Sequence, residues 1–349
     1  MFLAIREIRH SKLHSGLIVA IIALVGYLIF MLLGLMLGLA KENTAAIEQW
    51  HTQTVVLSKG ANLSLSQSLI KQADLPTLKK GDSLVGQSPV VISATGKHAH
   101  KQSAQLIGLK QSQPLAKTVV ITSGHRSRNA NQLVLSTNLQ AKGYRLSDKV
   151  RFAGSTKTYT VVGFASGAML NMTPVIYGDL SAWQGLKGNQ FAASAIFSTR
   201  KFSLTTASLK AYPVNRFVAK LPGYAAQNKT FAMMIAFLMV IAMVIIAVFL
   251  TILTMQKLPA YAVLRAQGIT AATLSRAAVA QAFLLMGIGS LLSLGVTFLT
   301  TLALPTTMPF LFSWPLALAI SAGLIVLGMV SALVPVRLIR RLQPLDAMS

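Results

Sequence analysis

Four long apolar stretches dominate the hydrophobic pattern of this chain. They cover residues 17–40, 231–255, roughly 277–304 and roughly 309–336, and none contains a charged side chain. Because about 20 apolar helical residues cross the hydrocarbon core of a bilayer, the pattern predicts four transmembrane helices. The first stretch is 24 residues long and has no small-residue cleavage site, so we expect an anchor there and not a cleaved signal peptide.

A polar stretch, residues 41–229, separates the first and second apolar stretches. Short segments rich in β-branched residues predict strands, and they lie at residues 52–58, 89–95, 132–136, 149–154, 157–164 and 194–198. Segments 136–143 and 179–186 each begin with a helix-capping residue and predict short helices. We therefore expect an α-helical membrane protein with four transmembrane helices and one extracytoplasmic mixed α/β domain, divided into residues 1–40, 41–229 and 230–349.

Basic residues mark the ends of the apolar stretches and predict an orientation. They are Arg6, Arg9 and Lys12, then Lys257, Arg265 and Arg276, and finally Arg337, Arg340 and Arg341. Short basic segments stay on the cytoplasmic side of a membrane. We therefore expect cytoplasmic N- and C-termini in the cell membrane and an extracellular domain over residues 41–229.

The charge composition is strongly basic. The chain has 32 Lys and Arg against eight Asp and Glu, and residues 41–229 hold 23 of the basic residues against six acids, a net charge of +17. This charge predicts either attraction of anionic lipid, cell-wall polymer or other anionic ligands, or a solvated surface without a ligand. The absence of cysteine excludes thiolate ligands and nucleophiles.

The segment GDSLVGQS, Gly81 to Ser88, has the glycine spacing of a phosphate-binding loop. Gln87 stands where the lysine that contacts the β- and γ-phosphates belongs, and no apolar helix follows. We therefore expect a turn here and no nucleotide binding. Neither a carboxylate pair nor a Ser/His/Asp group stands out elsewhere in the sequence, so we expect no enzymatic activity in this chain.

The segment between the second and third apolar stretches, MQKLPAYAVLRAQGITAATLSRA, predicts a short helix. We expect it to begin near Pro259 and stop at Gly268, with a new helix capped by Thr270. Its apolar face comprises Tyr261, Val263, Leu264 and Ala266. A short amphipathic helix of this kind favours docking in a groove of a partner, with the membrane interface as the alternative.

Gly34 and Gly38 in the first apolar stretch have the G-x-x-x-G spacing that lets two helix backbones approach closely. This spacing predicts either a contact between two copies of the chain or tight packing within one copy. The sequence leaves both alternatives open.

Three features together resemble ATP-binding-cassette permeases of the MacB/FtsX/LolC type. They are the order of the apolar stretches and the large domain, the turn LRAQGIT with the terminal RRLQPLDAM, and the segment NQLVLSTNLQAKGYRLSDKVRFAGSTKTYTVVGF. The resemblance implies a homodimeric permease bound to two copies of a separate ATPase, which drives it by mechanotransmission. It also implies that a coupling helix at about residues 258–268 contacts the ATPase through Leu258, Tyr261, Leu264 and Gly268.

Within this family the segments GLAKEN, MMI and LPTTMPF most resemble permeases of Gram-positive haem efflux pumps. The resemblance implies haem as the substrate and no intrinsic cofactor. The alternatives are export of peptide or lipid-linked substrates, and an FtsX-like regulator that moves no substrate and controls a cell-wall hydrolase. The +17 domain suits the regulator through polymer binding.

Haem has an apolar macrocycle, two propionates and an iron that accepts axial ligands. Suitable groups lie at the ends of two apolar stretches. Glu42 and Lys41 follow the first stretch, with Glu48 six residues after Glu42, and Lys229, Met233 and Met234 lie at the start of the second. Carboxylate and thioether groups bind iron, and we assign that role to Glu42 and Met234, with the lysines pairing with propionates. The alternative is that these residues only mark the membrane interface or fill gaps between helices.

Overall fold

The computed structural model describes residues 12–95, 101–201, 204, 207–305 and 308–341. The chain divides into two compact units. The α/β unit is Leu39–Gln227, and the helical unit comprises Met1–Gly38 and Asn228–Ser349. The predicted topology residues Arg6 and Arg9 and most of the terminal RRLQPLDAM lie outside the described residues.

Helices and strands alternate in the middle of the chain, whereas the described residues towards its two ends form only helices. The helices are α1 (Lys12–Gln49), α2 (Pro114–Thr118), α3 (Thr137–Ala141), α4 (Leu180–Lys187), α5 (Val214–Val218), α6 (Tyr224–Ala266), α7 (Ala271–Ala303), α8 (Trp314–Ser331) and α9 (Leu333–Arg341), with a 3-10 turn at Gln72–Asp74. The strands are β1 (Thr54–Ser58), β2 (Ile70–Lys71), β3 (Asp82–Ala94), β4 (Lys101–Leu109), β5 (Ile121–Gly124), β6 (Gln132–Ser136), β7 (Lys149–Phe152), β8 (Thr158–Ala165), β9 (Met169–Leu170), β10 (Thr173–Asp179), β11 (Phe191–Ala193), β12 (Ala195–Ser198) and β13 (Leu209–Pro213).

Four helical segments are long and apolar enough to cross a membrane: Leu13–Gln49, Tyr224–Ala266, Ala271–Ala303 and Trp314–Arg340. The predicted fold class, four such helices with a mixed α/β domain between the first and the second, is therefore confirmed. The expected separate helix near Pro259 is wrong, because α6 continues through Pro259 to Ala266. Proline removes only one backbone donor, and a long apolar helix tolerates that loss.

The Gly34 and Gly38 pair packs within the chain. A Cβ added at Gly34 would meet the ring of Phe310, and one added at Gly38 would meet the backbone carbonyl of Pro309. The Leu311 amide also donates a hydrogen bond of 3.0 Å to the Gly34 carbonyl. The segment between α7 and α8 therefore occupies the glycine surface of α1, and the intrachain alternative for this spacing is confirmed.

The main sheet of the α/β unit has the strand order β13-β1-β12-β3-β4-β10-β6-β8-β5, and β7 pairs with both β3 and β8. Strands β3, β4, β10, β6, β8 and β7 therefore close into a ring. The closure depends on the length of β3, since its end at Ile92–Ala94 pairs with β7 while Ser93 to Val85 also pair with β4. A closed ring removes exposed strand edges.

The six predicted strand segments all contain strands, and both predicted short helices are present. Ser136 caps α3 by accepting a hydrogen bond from the Asn138 amide, and Asp179 caps α4 by accepting one from the Ser181 amide. The turn expected over Gly81–Ser88 is wrong beyond Gly81, because β3 begins at Asp82. Buried contacts favour the strand conformation of this segment. A Cβ at Gly86 would meet the Trp183 ring, and Nε1 of that ring donates a hydrogen bond of 2.9 Å to the Gln87 carbonyl.

We predict that Gly38→Ala lowers the stability of the protein. Alanine favours a helix interior by about 1 kcal/mol over glycine, but overpacking against a backbone costs about 1–3 kcal/mol. Thermal unfolding in detergent, followed by tryptophan fluorescence, should show a lower Tm. Gly287→Ala in α7 is the control, since its Cβ meets nothing within 4 Å and its Tm should hold or rise. Equal Tm values for both variants would contradict the contact with Pro309.

Candidate functional site

The last turns of α1 lie in the α/β unit and bury one helix face. Ala46, Ile47 and Trp50 are at most 5% exposed and belong to the core of this unit. The Trp50 ring packs edge-on against Phe197 with 4.8 Å between the ring centroids. This burial fixes the rotation of the helix about its axis, and with it the direction of every other side chain on these turns.

Glu42 lies at the border of this buried face and is partly exposed. The segment between β9 and β10 contacts the helix here: the Met172 amide donates to the Glu42 carbonyl, and the Asn171 amide to the Asn43 carbonyl, each at 3.2 Å. Among the described residues, no hydrogen bond or ion pair engages the Glu42 carboxylate. Glu42 therefore presents an unengaged carboxylate beside the β9–β10 turn.

The β9–β10 turn has an unusual backbone. Asn171 and Met172 have φ values of 49° and 57°, in the left-handed region that bulky side chains rarely adopt. The Met172 side chain is 47% exposed, and the buried Oδ1 of Asn171 has no hydrogen-bond partner among the described residues. Strain of this kind concentrates at functional sites, and here it occurs at an exposed methionine whose backbone amide is bonded to Glu42.

Glu48 and Lys41 are exposed and lie on the side of α1 away from its buried face. Because the helix continues to Gln49, Glu48 points about 120° away from Glu42, as its spacing predicts. The Thr44 hydroxyl donates a hydrogen bond to the Glu48 carboxylate on the same helix. Glu48 therefore has a local partner, whereas Glu42 has none.

Lys229, Met233 and Met234 belong to the helical unit, near the start of α6. Met233 is 57% exposed and Met234 is 43% exposed, so both thioethers are accessible. Lys229 and Met233 are four residues apart and therefore share one helix face. The assignment of Met234 as an iron ligand stays a prediction, as do the roles of the other two residues.

The predicted coupling residues divide into buried and accessible positions. Tyr261 is 3% exposed and packs with Leu274, Ala278 and Ile339, and Leu264 is partly buried against the same cluster. Leu258 is also half-buried. The outward side of α6 carries Pro259, Ala260, Val263, Ala266 and Gln267, all exposed.

Gly268 and Thr270 form the turn that follows α6. Gly268 is exposed and has φ 91°, and the Ile269 amide donates to the Leu264 carbonyl at 3.1 Å, which closes the helix end. The Thr270 side chain accepts a hydrogen bond from the Thr273 amide and caps α7, as predicted. The turn is therefore well formed and open to a partner.

The side chains near the β9–β10 turn offer isolated metal-ligand groups and not a cluster of them. Among the described residues no group of three or more His, Asp and Glu side chains could hold a metal ion. A lone carboxylate and a lone thioether suit a ligand that brings its own equatorial donors, such as a metalloporphyrin. Met172 was not identified from the sequence, because it lies 130 positions from Glu42. The only signal in the sequence was an Asn-Met pair between two short apolar segments, which is compatible with a turn.

The sequence has relatives along its whole length. It is 23% identical over 351 residues to a putative hemin transport system permease protein HrtB of Staphylococcus haemolyticus, with 99% of each chain covered. It is 24% identical to the protein of the same description from Staphylococcus epidermidis strain ATCC 12228, again with 99% of each chain covered.

Solved structures align with part of the chain at low similarity. The periplasmic region of MacB from Actinobacillus actinomycetemcomitans gives a TM-score of 0.35 at 11% identity, covering 49% of this chain and 94% of that one. The extracellular domain of the noncanonic ABC-type transporter YknZ from Gram-positive bacteria gives 0.31 at 12% identity, covering 43% and 83%. The family model described as FtsX-like permease C-terminal matches residues 232–344, which contain most of the last three apolar helices of this chain.

Proposed function

We propose that this protein is the permease subunit of an ATP-binding-cassette efflux pump that exports haem from the membrane. The observation that supports this most is its end-to-end similarity to relatives described as hemin transport permeases. The four apolar helices and the FtsX-like permease domain agree with a membrane transport role. Haem is the cargo of the proposed pump and not a resident cofactor.

The proposal assigns ATP hydrolysis to a separate subunit. The segment from Gly81 to Ser88, which has phosphate-loop spacing, has Gln87 in place of lysine and lies in strand β3 from Asp82 onward. We infer an assembly of two copies of this chain with two ATPase subunits, cytoplasmic termini and an extracellular α/β unit. ATP-driven motion would reach the outer face through the long helices α1 and α6.

The proposed haem contacts in the α/β unit are Glu42 and Met172. Their backbones are joined by a hydrogen bond, the carboxylate has no competing partner among the described residues, and the thioether is about half exposed. Either donor can occupy an axial position of the iron. Lys41, Lys229, Met233 and Met234 remain proposed contacts from the two boundary segments, and Glu48 has a lesser role because Thr44 engages it.

We predict that Glu42→Gln and Met172→Gly each weaken haemin binding and alter its Soret band. Removal of one axial donor should raise the apparent Kd about tenfold, equivalent to about 1.4 kcal/mol. The measurement is a haemin titration of the purified full-length protein in detergent, with haemin sensitivity of expressing cells as the second readout. Glycine suits the left-handed backbone at position 172, so this variant should keep its Tm.

Glu48→Gln is the matched control, because it removes the same charge from the same helix at the position that Thr44 engages. It should change the spectrum and the Kd less than either Glu42→Gln or Met172→Gly. Wild-type spectra for all three variants would contradict the roles of Glu42 and Met172. A wild-type spectrum identical to that of free haemin in detergent would contradict haem as the cargo.

The proposed ATPase contact is the outward side of the α6 end and the Gly268 turn. Val263 is 53% exposed there, whereas Tyr261 is buried in the helical unit's own core and supports this surface from beneath. A substitution affects binding most when its side chain becomes fully desolvated near the centre of the contact, which requires a side chain that the partner can reach. Val263 is therefore a sharper probe of docking than Leu264.

We predict that Val263→Asp abolishes co-purification with the ATPase subunit, because it places a carboxylate in an apolar contact. The Tm of the permease alone should stay unchanged, since the side chain meets solvent in the isolated chain. Leu264→Asp serves as the contrast: it should lower the Tm, because Leu264 packs on the Tyr261 cluster. Co-purification of Val263→Asp at the wild-type ratio, with wild-type ATP-dependent efflux, would contradict docking at this surface.

A further inference from the structure

A basic groove opens in the α/β unit beside the start of strand β3. Its main part has a volume of about 480 Å³ and is formed by residues 78–82 on one wall and residues 112–114 and Lys117 on the other. A second part of about 260 Å³ shares Leu78, Lys79 and Asp82 with the first and reaches Arg200. The two parts are adjacent, because they share these three residues, and together they are called the groove below.

The walls of this groove are fixed by hydrogen bonds. Asp82 accepts from the Lys79 amide at 2.9 Å and pairs with the Arg200 guanidinium at 3.2 Å, which closes the loop that precedes β3. On the opposite wall, the Gln113 side chain accepts from the Leu84 amide at 2.8 Å, and the Leu115 amide donates to Ser83 at 3.2 Å. The groove therefore exists without a ligand, and binding needs little reorganisation.

The charge of the groove is positive and uncompensated. Lys79, Lys80 and Lys117 are exposed along it. Asp82 is the one acid of the lining residues, is only 6% exposed and is engaged by Arg200. Three exposed lysines therefore line the groove, and its described lining residues include no free carboxylate, which favours an anionic ligand.

The shape and lining narrow the ligand class. Two adjacent cavities suit an extended chain with several anionic groups better than a single ion, and lysine ammonium groups bind phosphate as point charges. The lining residues that the structure describes include no aromatic side chain on which a nucleic-acid base could stack. Thr77 and Ser112 offer hydroxyl groups to a polyol. We propose that this groove binds a linear polymer of phosphodiester-linked polyol units.

The test uses the full-length protein in phosphatidylcholine nanodiscs and fluorescently labelled poly(glycerol phosphate), with the Kd measured at several NaCl concentrations. We expect saturable binding by the wild type. The triple variant Lys79→Gln, Lys80→Gln, Lys117→Gln should raise the Kd at least about tenfold. It should also reduce the slope of log K against log salt by about 2, since each lost cation removes about 0.7.

A charge-matched control separates the groove from the general basic surface. The variant Lys142→Gln, Lys149→Gln, Lys157→Gln has the same net charge and changes lysines near β7, which pairs with the opposite end of β3, about 30 Å along the strand. It should bind like the wild type. Equal losses in both triple variants would overturn the groove assignment.

Two further ligands test the ligand class. Poly-L-glutamate of matched charge should bind at least about tenfold more weakly than poly(glycerol phosphate), because the groove is assigned to phosphodiesters. Equal binding of poly-L-glutamate, tighter binding of oligothymidylate, or no binding of poly(glycerol phosphate) by the wild type would each overturn the proposal. None of these outcomes depends on haem, so the groove and the efflux function stand or fall separately.

Discussion

Burial of Ile47 and Trp50 in the core of the α/β unit is the constraint on which the candidate site depends. These side chains are 2% and 1% exposed, and they allow only one rotation of the last turns of α1. With the rotation fixed, Glu42 stands at the border of the buried face and Glu48 faces away from it. The carbonyls of Glu42 and Asn43 then meet the two amides of the β9–β10 turn. The position of Met172 follows from a packing contact and not from the local sequence around Glu42.

Local sequence predicted the elements well where local physics decides them. Apolar length identified the four helices that are long and apolar enough to cross a membrane, and capping chemistry at Ser136 and Asp179 located two short helices. It failed where distant residues decide. Pro259 does not interrupt α6, and the segment after Gly81 becomes strand, with Trp183 packed on Gly86. The pairing of Met172 with Glu42, and the burial of Tyr261, required the tertiary contacts.

The distribution of charge gives the two units different chemistry. Between residues 180 and 345 the sequence has no acidic residue, so the basic residues at the ends of α6, α7 and α9 have no carboxylate of their own segment to pair with. In the α/β unit the basic excess instead gathers partly into a formed groove, where Asp82 serves to hold Arg200 and the lysines remain exposed.

The scarcity of carboxylates makes their individual uses informative. Asp82, Asp148 and Asp179 each accept a hydrogen bond from a backbone amide, at 2.9, 2.7 and 3.0 Å, and thereby hold a turn or cap a helix. Glu48 is engaged by Thr44. Of the described acids, only Asp74 and Glu42 have a carboxylate that accepts no hydrogen bond from a backbone amide or a neighbouring side chain. Asp74 is exposed in a short 3-10 turn. Glu42 is different, because a strained turn with an exposed methionine is held against its backbone. A carboxylate without a structural task, on a residue whose backbone is bonded to a strained turn with an exposed methionine, is the physical basis for proposing a ligand contact at Glu42.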